Sequence, residues 1–185
     1  MASARTDEEI INLYKNGDKE VFKELINKYT PSLFNFTARL VGKDFAPDIV
    51  QEIFIKIWKK IDNFDFKKSS FKTWIFIIAK NTALDFMRKR RSINFSYLEN
   101  EDENSTFSET IKDEELLPDE ALQKLQDKDF LNNLLEKLSI EYKTILTLHY
   151  QEEMTFEEIS KVLKKPLNTV KSNHFRAIIK LRKML

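Results

Sequence analysis

From Pro47 to Ile61 the chain repeats apolar residues at helical spacing with almost no misses: Val50, Ile53, Phe54, Ile57, Trp58 and Ile61 fall on one stripe. That pattern predicts a helix with one face buried, and a helix so patterned requires other helices or a sheet to cover it. Only 2 Gly and 4 Pro occur in 185 residues, too few for a turn-rich β fold, so the partners are expected to be helices. Asp48, Glu52, Ile55 and Lys59 line up on the opposite face. An isoleucine there is either a solitary exposed apolar residue or the anchor of a charged docking surface.

Before this helix, Thr6 and Glu9 have capping-box spacing and start a helix carrying Ile10, Ile11, Leu13 and Tyr14, which ends at Gly17. Asp18 is expected to cap a second, with Val21, Phe22, Leu25, Ile26 and Tyr29, stopping before Pro31. Leu33 to Val41 reads as a third, ending at Gly42. After it, Lys67 to Ser70 is a polar loop in which Ser69 or Ser70 can cap a long helix. That helix is apolar nearly all round from Phe71 to Ala79, turns polar at Lys80 and Asn81, and ends in Arg88, Lys89, Arg90 and Arg91. Burial alone explains the isoleucines. Aromatic residues beside a cationic end also suit a surface that stacks unpaired bases while Arg and Lys hold phosphates.

At the C-terminus Thr155 and Glu158 form a second capping box, and Ile159, Val162 and Leu163 give the short helix an apolar face. Lys164, Lys165 and Pro166 break it, and Asn168 is the expected N-cap of a helix running to the end. Val170, His174, Ala177, Ile178 and Leu181 share one side of that helix. Asn168, Ser172, Phe175, Arg176, Ile179 and Lys183 share the other. Two helices, a short turn and donors on a free face meet the needs of a DNA-reading helix-turn-helix, although basic helix pairs are more often plain solvated surface.

The net charge of +1 hides a segregated pattern. Residues 1–91 hold 18 basic and 12 acidic groups, and residues 92–120 hold one Lys and ten acids. Residues 161–185 hold eight Lys and Arg and no acid. Two basic blocks therefore flank a polyanionic stretch that lacks periodicity and reads as a flexible acidic linker. Leu122, Leu125, Leu131, Leu134, Leu135 and Leu138 resume helical spacing after it, and Ser139 caps a helix holding Tyr142, Ile145, Leu146 and His149. The absence of cysteine excludes disulfides and thiolate metal sites, and two histidines leave little for a His-rich one, so neither metal nor cofactor is expected. The longest apolar run, Trp74 to Ala79, is far short of the roughly twenty residues of a membrane span, so a cytoplasmic location without stable membrane insertion is expected.

The order of residues says more. "EEISKVLKKPLNTVKSNHFRAIIKLRK" resembles region 4 of bacterial sigma factors, and "APDIVQEIFIKIWKKIDNFDFKKSSFKTWIFIIAKNTALDFMRKRR" resembles region 2 of the same sigma-70 family. The stretch between them leaves no room for the helical region 3 of longer members, which resembles the extracytoplasmic-function (ECF) group. The resemblance implies an all-α protein of two small helical domains, 1–91 and 121–185, joined by the linker 92–120. It implies core RNA polymerase, promoter DNA and an anti-sigma factor as partners, and no enzymatic activity of its own.

Carried over by position, Asp48, Gln51, Glu52 and Ile55 would face polymerase. Phe64, Ser69, Phe71, Trp74, Lys80, Asn81, Asp85, Arg88, Lys89 and Arg90 would lie at or near the −10 strand, some of them as packing only. Lys164, Lys165, Asn168, Thr169, Lys171, Ser172, Asn173, Phe175 and Arg176 would meet the −35 element. Within that set Lys164, Lys165 and Lys171 suit phosphates, and Arg176, with Ser172 and Phe175, suits base edges. Asn173 departs from the family, which often has a basic residue there. A metal-dependent nuclease would need a second carboxylate pair beside Asp48 and Glu52. A helical adaptor leaves the basic blocks unexplained. A helix-turn-helix regulator acting without core polymerase leaves Pro47–Arg91 idle.

Overall fold

The computed structural model describes residues 5–94 and 134–184. Helices α1 (Asp7–Lys15), α2 (Phe22–Val41), α3 (Ala46–Lys60) and α4 (Phe71–Asn94) form an N-terminal bundle. Helices α5 (Ile140–Leu146), α6 (Phe156–Leu163) and α7 (Leu167–Arg182) form a C-terminal unit, and there is no strand among the described residues. The acidic stretch from residue 95, and the leucines at 122, 125 and 131, lie outside the described residues.

Both capping boxes form. Thr6 N–H donates to Glu9 Oε2 at 2.7 Å and Glu9 N–H to Thr6 Oγ1 at 3.3 Å; the Thr155 and Glu158 pair does the same at 3.0 and 3.2 Å. Ser70, not Ser69, caps α4, accepting from Thr73 N–H at 3.1 Å. Three expected boundaries move. Asp18 makes no side-chain cap, and α2 starts at Phe22 after the short 3-10 turn Lys19–Val21. Helix α2 runs unbroken through Pro31, because Leu25, Tyr29, Leu33, Phe36 and Leu40 continue one buried stripe across it. Burial along that stripe offsets the roughly 3 kcal/mol of a mid-helix proline. Helix α7 starts at Leu167, so Pro166 stands at its N-cap and Asn168 lies inside the first turn. The break before it is made by Lys164 in the left-handed region, φ 55° and ψ 42°.

Helices α2, α3 and α4 pack around Phe36, which meets Phe76 edge-on at 5.3 Å between ring centroids. The expected stripe of α3 goes inward at Val50, Ile53, Ile57 and Ile61, with Phe54 half-buried. Trp58 turns outward, 54% exposed, and Ile49 takes an inward position instead. The apolar cluster of the bundle is continuous with Ile145, Leu148, Met154, Ile159, Val162 and Val170 of the C-terminal unit. A second, smaller cluster joins Leu135, Leu138, Leu146 and Ala177 beneath α7. The two units thus pack directly on each other, α6 lying against α4.

Candidate functional surfaces

Helix α3 turns Asp48, Gln51, Glu52, Ile55, Trp58 and Lys59 to the outside. Glu52 pairs with Lys56 one turn on, at 2.7 Å, with its carboxylate still half-exposed. Ile55 (51%) and Trp58 (54%) are two of the five large hydrophobic residues exposed among those described, and they sit three residues apart on one helix. Sequence periodicity assigned Trp58 to the core because it falls at the margin of the stripe. An apolar patch bordered by carboxylates is suited to docking a basic partner with apolar pockets.

In α4 and the loop before it, the residues matched to the −10 strand divide with their neighbours into three groups, apart from Ser69, which lies half-buried in the loop. Phe64 and Phe71 are core, 5% and 2% exposed, and with Trp74 and Phe66 they form one aromatic cluster that Tyr29 joins from α2. Phe64 and Phe71 are buried within that cluster, whereas Trp74 and Phe66 keep part of their surface exposed. Near the start of α4 a second group faces the C-terminal unit. Ser70 and Thr73 hydroxyls donate to Glu158 Oε1 at 3.4 and 3.3 Å, and Lys80 Nζ donates to the Val162 carbonyl at 3.3 Å. Lys72, which the sequence did not single out, donates to the Glu152 carbonyl and lies 3.6 Å from its buried carboxylate. The third group is exposed: Asn81, Arg88, Lys89 and Arg90. Asp85 pairs with Arg88, and the Arg90 guanidinium stacks 4.2 Å above the Phe45 ring.

Electrostatics mark this contact between units. Burial, then the neighbouring Lys164, holds the Lys80 ammonium below the ordinary lysine range. Burial pushes the Glu158 carboxyl up, but hydrogen bonds from Thr155, Thr73 and Ser70 outweigh it and leave it below the usual range.

The C-terminal pair meets the geometry of a helix-turn-helix. Ile159, Val162 and Val170 are fully buried on α6 and α7, Ala177 is buried against the second cluster, and Lys164, Lys165, Asn168, Lys171 and Arg176 are exposed. Thr169, Ser172 and Phe175 are half-buried on the same helix. Asn173 departs from this group. It is 8% exposed and donates from Nδ2 to Glu141 Oε1 at 2.6 Å, across to the first turn of α5. Lys165 Nζ pairs with the same carboxylate at 2.6 Å. Sequence reasoning passed over Glu141, because an acid just after the Ser139 cap is already explained by the helix dipole.

Residues 25–93 match the family model of sigma-70 region 2, and residues 131–181 match that of sigma-70 region 4. The "ECF RNA polymerase sigma-E factor" of Haemophilus influenzae is 32% identical over 96% of this chain and 94% of its own length. The chain belongs to the ECF sigma factors. The "ECF RNA polymerase sigma factor SigW" of Bacillus subtilis is likewise 32% identical, over 95% of this chain and 94% of that relative. The sigma factor RpoE of Bartonella quintana, solved in complex with the anti-sigma factor NepR, superposes with a TM-score of 0.65. It is 25% identical, with 88% of this chain and 94% of that chain covered.

Both histidines of this sigma factor sit where α7 meets the wide helical turn Thr147–Gln151. His149 stacks on Phe156 at 4.5 Å and bonds the Met154 carbonyl through Nδ1 at 3.0 Å; His174 pairs with the Tyr150 hydroxyl at 3.0 Å. Burial, then the adjacent His149, holds the His174 imidazole below its ordinary value of 6.5. The unfolded chain therefore takes up a proton that the folded one resists, so stability is full above pH 6.5 and falls as pH drops below it. His174→Gln should lose part of that decline. Denaturant midpoints between pH 7.5 and 5 should diverge less from one another in the variant than in the wild type. Among the described residues no cluster of three His, Cys, Asp or Glu could hold a metal, and no helix is long and apolar enough to cross a membrane.

Proposed function

We propose that this ECF sigma factor binds core RNA polymerase through the outward face of α3, reads the −35 element with α7 and opens the −10 element with α4. The carrying observation is the separation of roles on the surface. The outward face of α3 exposes Ile55 and Trp58 among carboxylates, while the exposed residues of α4 and α7 matched to DNA are mostly cations and amides. At the −35 element, Lys164 and Lys171 contact phosphates and set register, while Arg176, with Ser172 and Phe175, reads base edges. At the −10 element, Asn81, Arg88 and Lys89 hold the strand. An extruded base costs a few kcal/mol, least where the pair is already strained. Trp58 extends the docking face beyond Asp48, Gln51, Glu52 and Ile55. Catalysis belongs to polymerase, the protein acts in the cytoplasm, and an anti-sigma factor competes for it, as NepR binds its relative. A regulator acting without polymerase would leave the exposed Ile55 and Trp58 unexplained.

The test is reconstitution with core polymerase, followed by genome-wide mapping of transcript starts. On a promoter so found, Arg176→Ala should cost about 1–3 kcal/mol at one or two −35 base pairs. Lys171→Ala should weaken all sequences alike and reduce the salt slope by about one contact. Uniform weakening by Arg176→Ala would make it a phosphate contact.

A further inference from the structure

The −35 surface has a third layer behind it. Glu141 lies in the first turn of α5, 30% exposed, beneath the point where the α6–α7 turn meets α7. Its carboxylate accepts from Lys165 Nζ at 2.7 Å through Oε1 and 2.6 Å through Oε2, and from Asn173 Nδ2 at 2.6 Å. The amide of Asn173 is planar, so committing Nδ2 to the carboxylate turns Oδ1 the other way. There it accepts from Arg176 Nη1, one turn along α7, at 3.4 Å. That last bond is long, and it restrains the guanidinium without capturing it. A basic side chain at 173 could not do this: it would donate to Glu141 and have no acceptor to offer Arg176.

The geometry points to Glu141 as a positioning residue for −35 recognition, aiming Arg176 through Asn173 while holding Lys165 away from the DNA backbone. This rests on the assignment of Arg176 as a base reader. An arginine already held in the plane of its target loses less side-chain freedom on binding, and the gain falls on the base pair it reads. Lys165, paired to a carboxylate in the free protein, releases no phosphate counterion and adds nothing to the salt dependence.

The two duties of Glu141 separate by substitution. Glu141→Gln keeps a carbonyl oxygen for Asn173 Nδ2 and removes the charge that holds Lys165. Glu141→Ala removes both, and Asn173→Ala removes only the link to Arg176. Holoenzyme carrying each variant would select from a promoter library randomised at the −35 element, with binding to the best sequence measured across a salt series. We expect Glu141→Ala and Asn173→Ala to reduce the preference for the best base at the Arg176 position at least about fivefold, less than the loss of the whole contact in Arg176→Ala. Glu141→Gln should retain that preference and steepen the salt slope by about one contact. Thermal unfolding of each variant guards against loss of fold, and Glu141→Gln carries the test should Glu141→Ala unfold. Wild-type preference in Asn173→Ala alongside a loss in Arg176→Ala would overturn the positioning role. A wild-type salt slope in Glu141→Gln would overturn the restraint on Lys165. If Arg176→Ala itself keeps the wild-type preference, the base-reader assignment fails, and this inference with it.

Discussion

Reversing Glu52 to lysine is expected to weaken binding to core RNA polymerase by about 2–5 kcal/mol, the cost of breaking a desolvated charge pair and leaving its partner buried. The carboxylate lies on the face shared with Asp48, Ile55 and Trp58, and its only ion-pair partner among the described residues is Lys56, at 2.7 Å. The new lysine would repel Lys56 along the helix, but an exposed pair one turn apart is worth only about 0.2–0.5 kcal/mol. Helicity and the melting curve should therefore stay near wild type while core affinity falls. Affinity measured by competition against labelled sigma factor decides the matter, and an unchanged value removes this face of α3 from the interface.

Phe36→Ala is expected to destabilise the N-terminal bundle by about 3–5 kcal/mol. Phe36 has no exposed surface and meets Phe76 edge-on, so truncation both removes buried area and opens a cavity between α2 and α4. Denaturant unfolding should show the loss directly. A cost under about 1 kcal/mol would mean that the bundle collapses around the gap.

What the sequence made legible was local. Both capping boxes are four-residue signals whose partners are each other, and both form. The α3 stripe was legible at its centre but not at its edge, since Trp58 lies where a few degrees of helix rotation choose between core and solvent. Pro31 misled because the cost of a proline is local while the burial that offsets it is spread over twenty residues of α2. Phe64 and Phe71 could be assigned to stacking or to core by composition alone; only the presence of Tyr29, Phe66 and Trp74 around them decides. Asn173 stands out in the sequence as a departure, but its partner lies 32 residues earlier on another helix. Pairings of that span leave no periodic trace.

The seam between α4 and α6 has a property that bears on how this sigma factor changes shape. Glu158 keeps its two bonds to Thr155 whether or not Ser70 and Thr73 approach it, because the capping box belongs to α6 alone. Ser70 likewise keeps its bond from the Thr73 amide within α4. Lys72 and Lys80, once released, are cations returning to water, and Lys80 leaves Lys164 behind. Most of the polar groups here are thus satisfied on both sides of a separation, and parting the units rehydrates the apolar contacts through which the bundle core continues into Ile145, Leu148, Met154, Ile159, Val162 and Val170, with Phe156 and Leu163 beside them. The cost of opening is therefore largely apolar. Any opening that promoter binding requires subtracts its free energy from the promoter affinity the protein achieves.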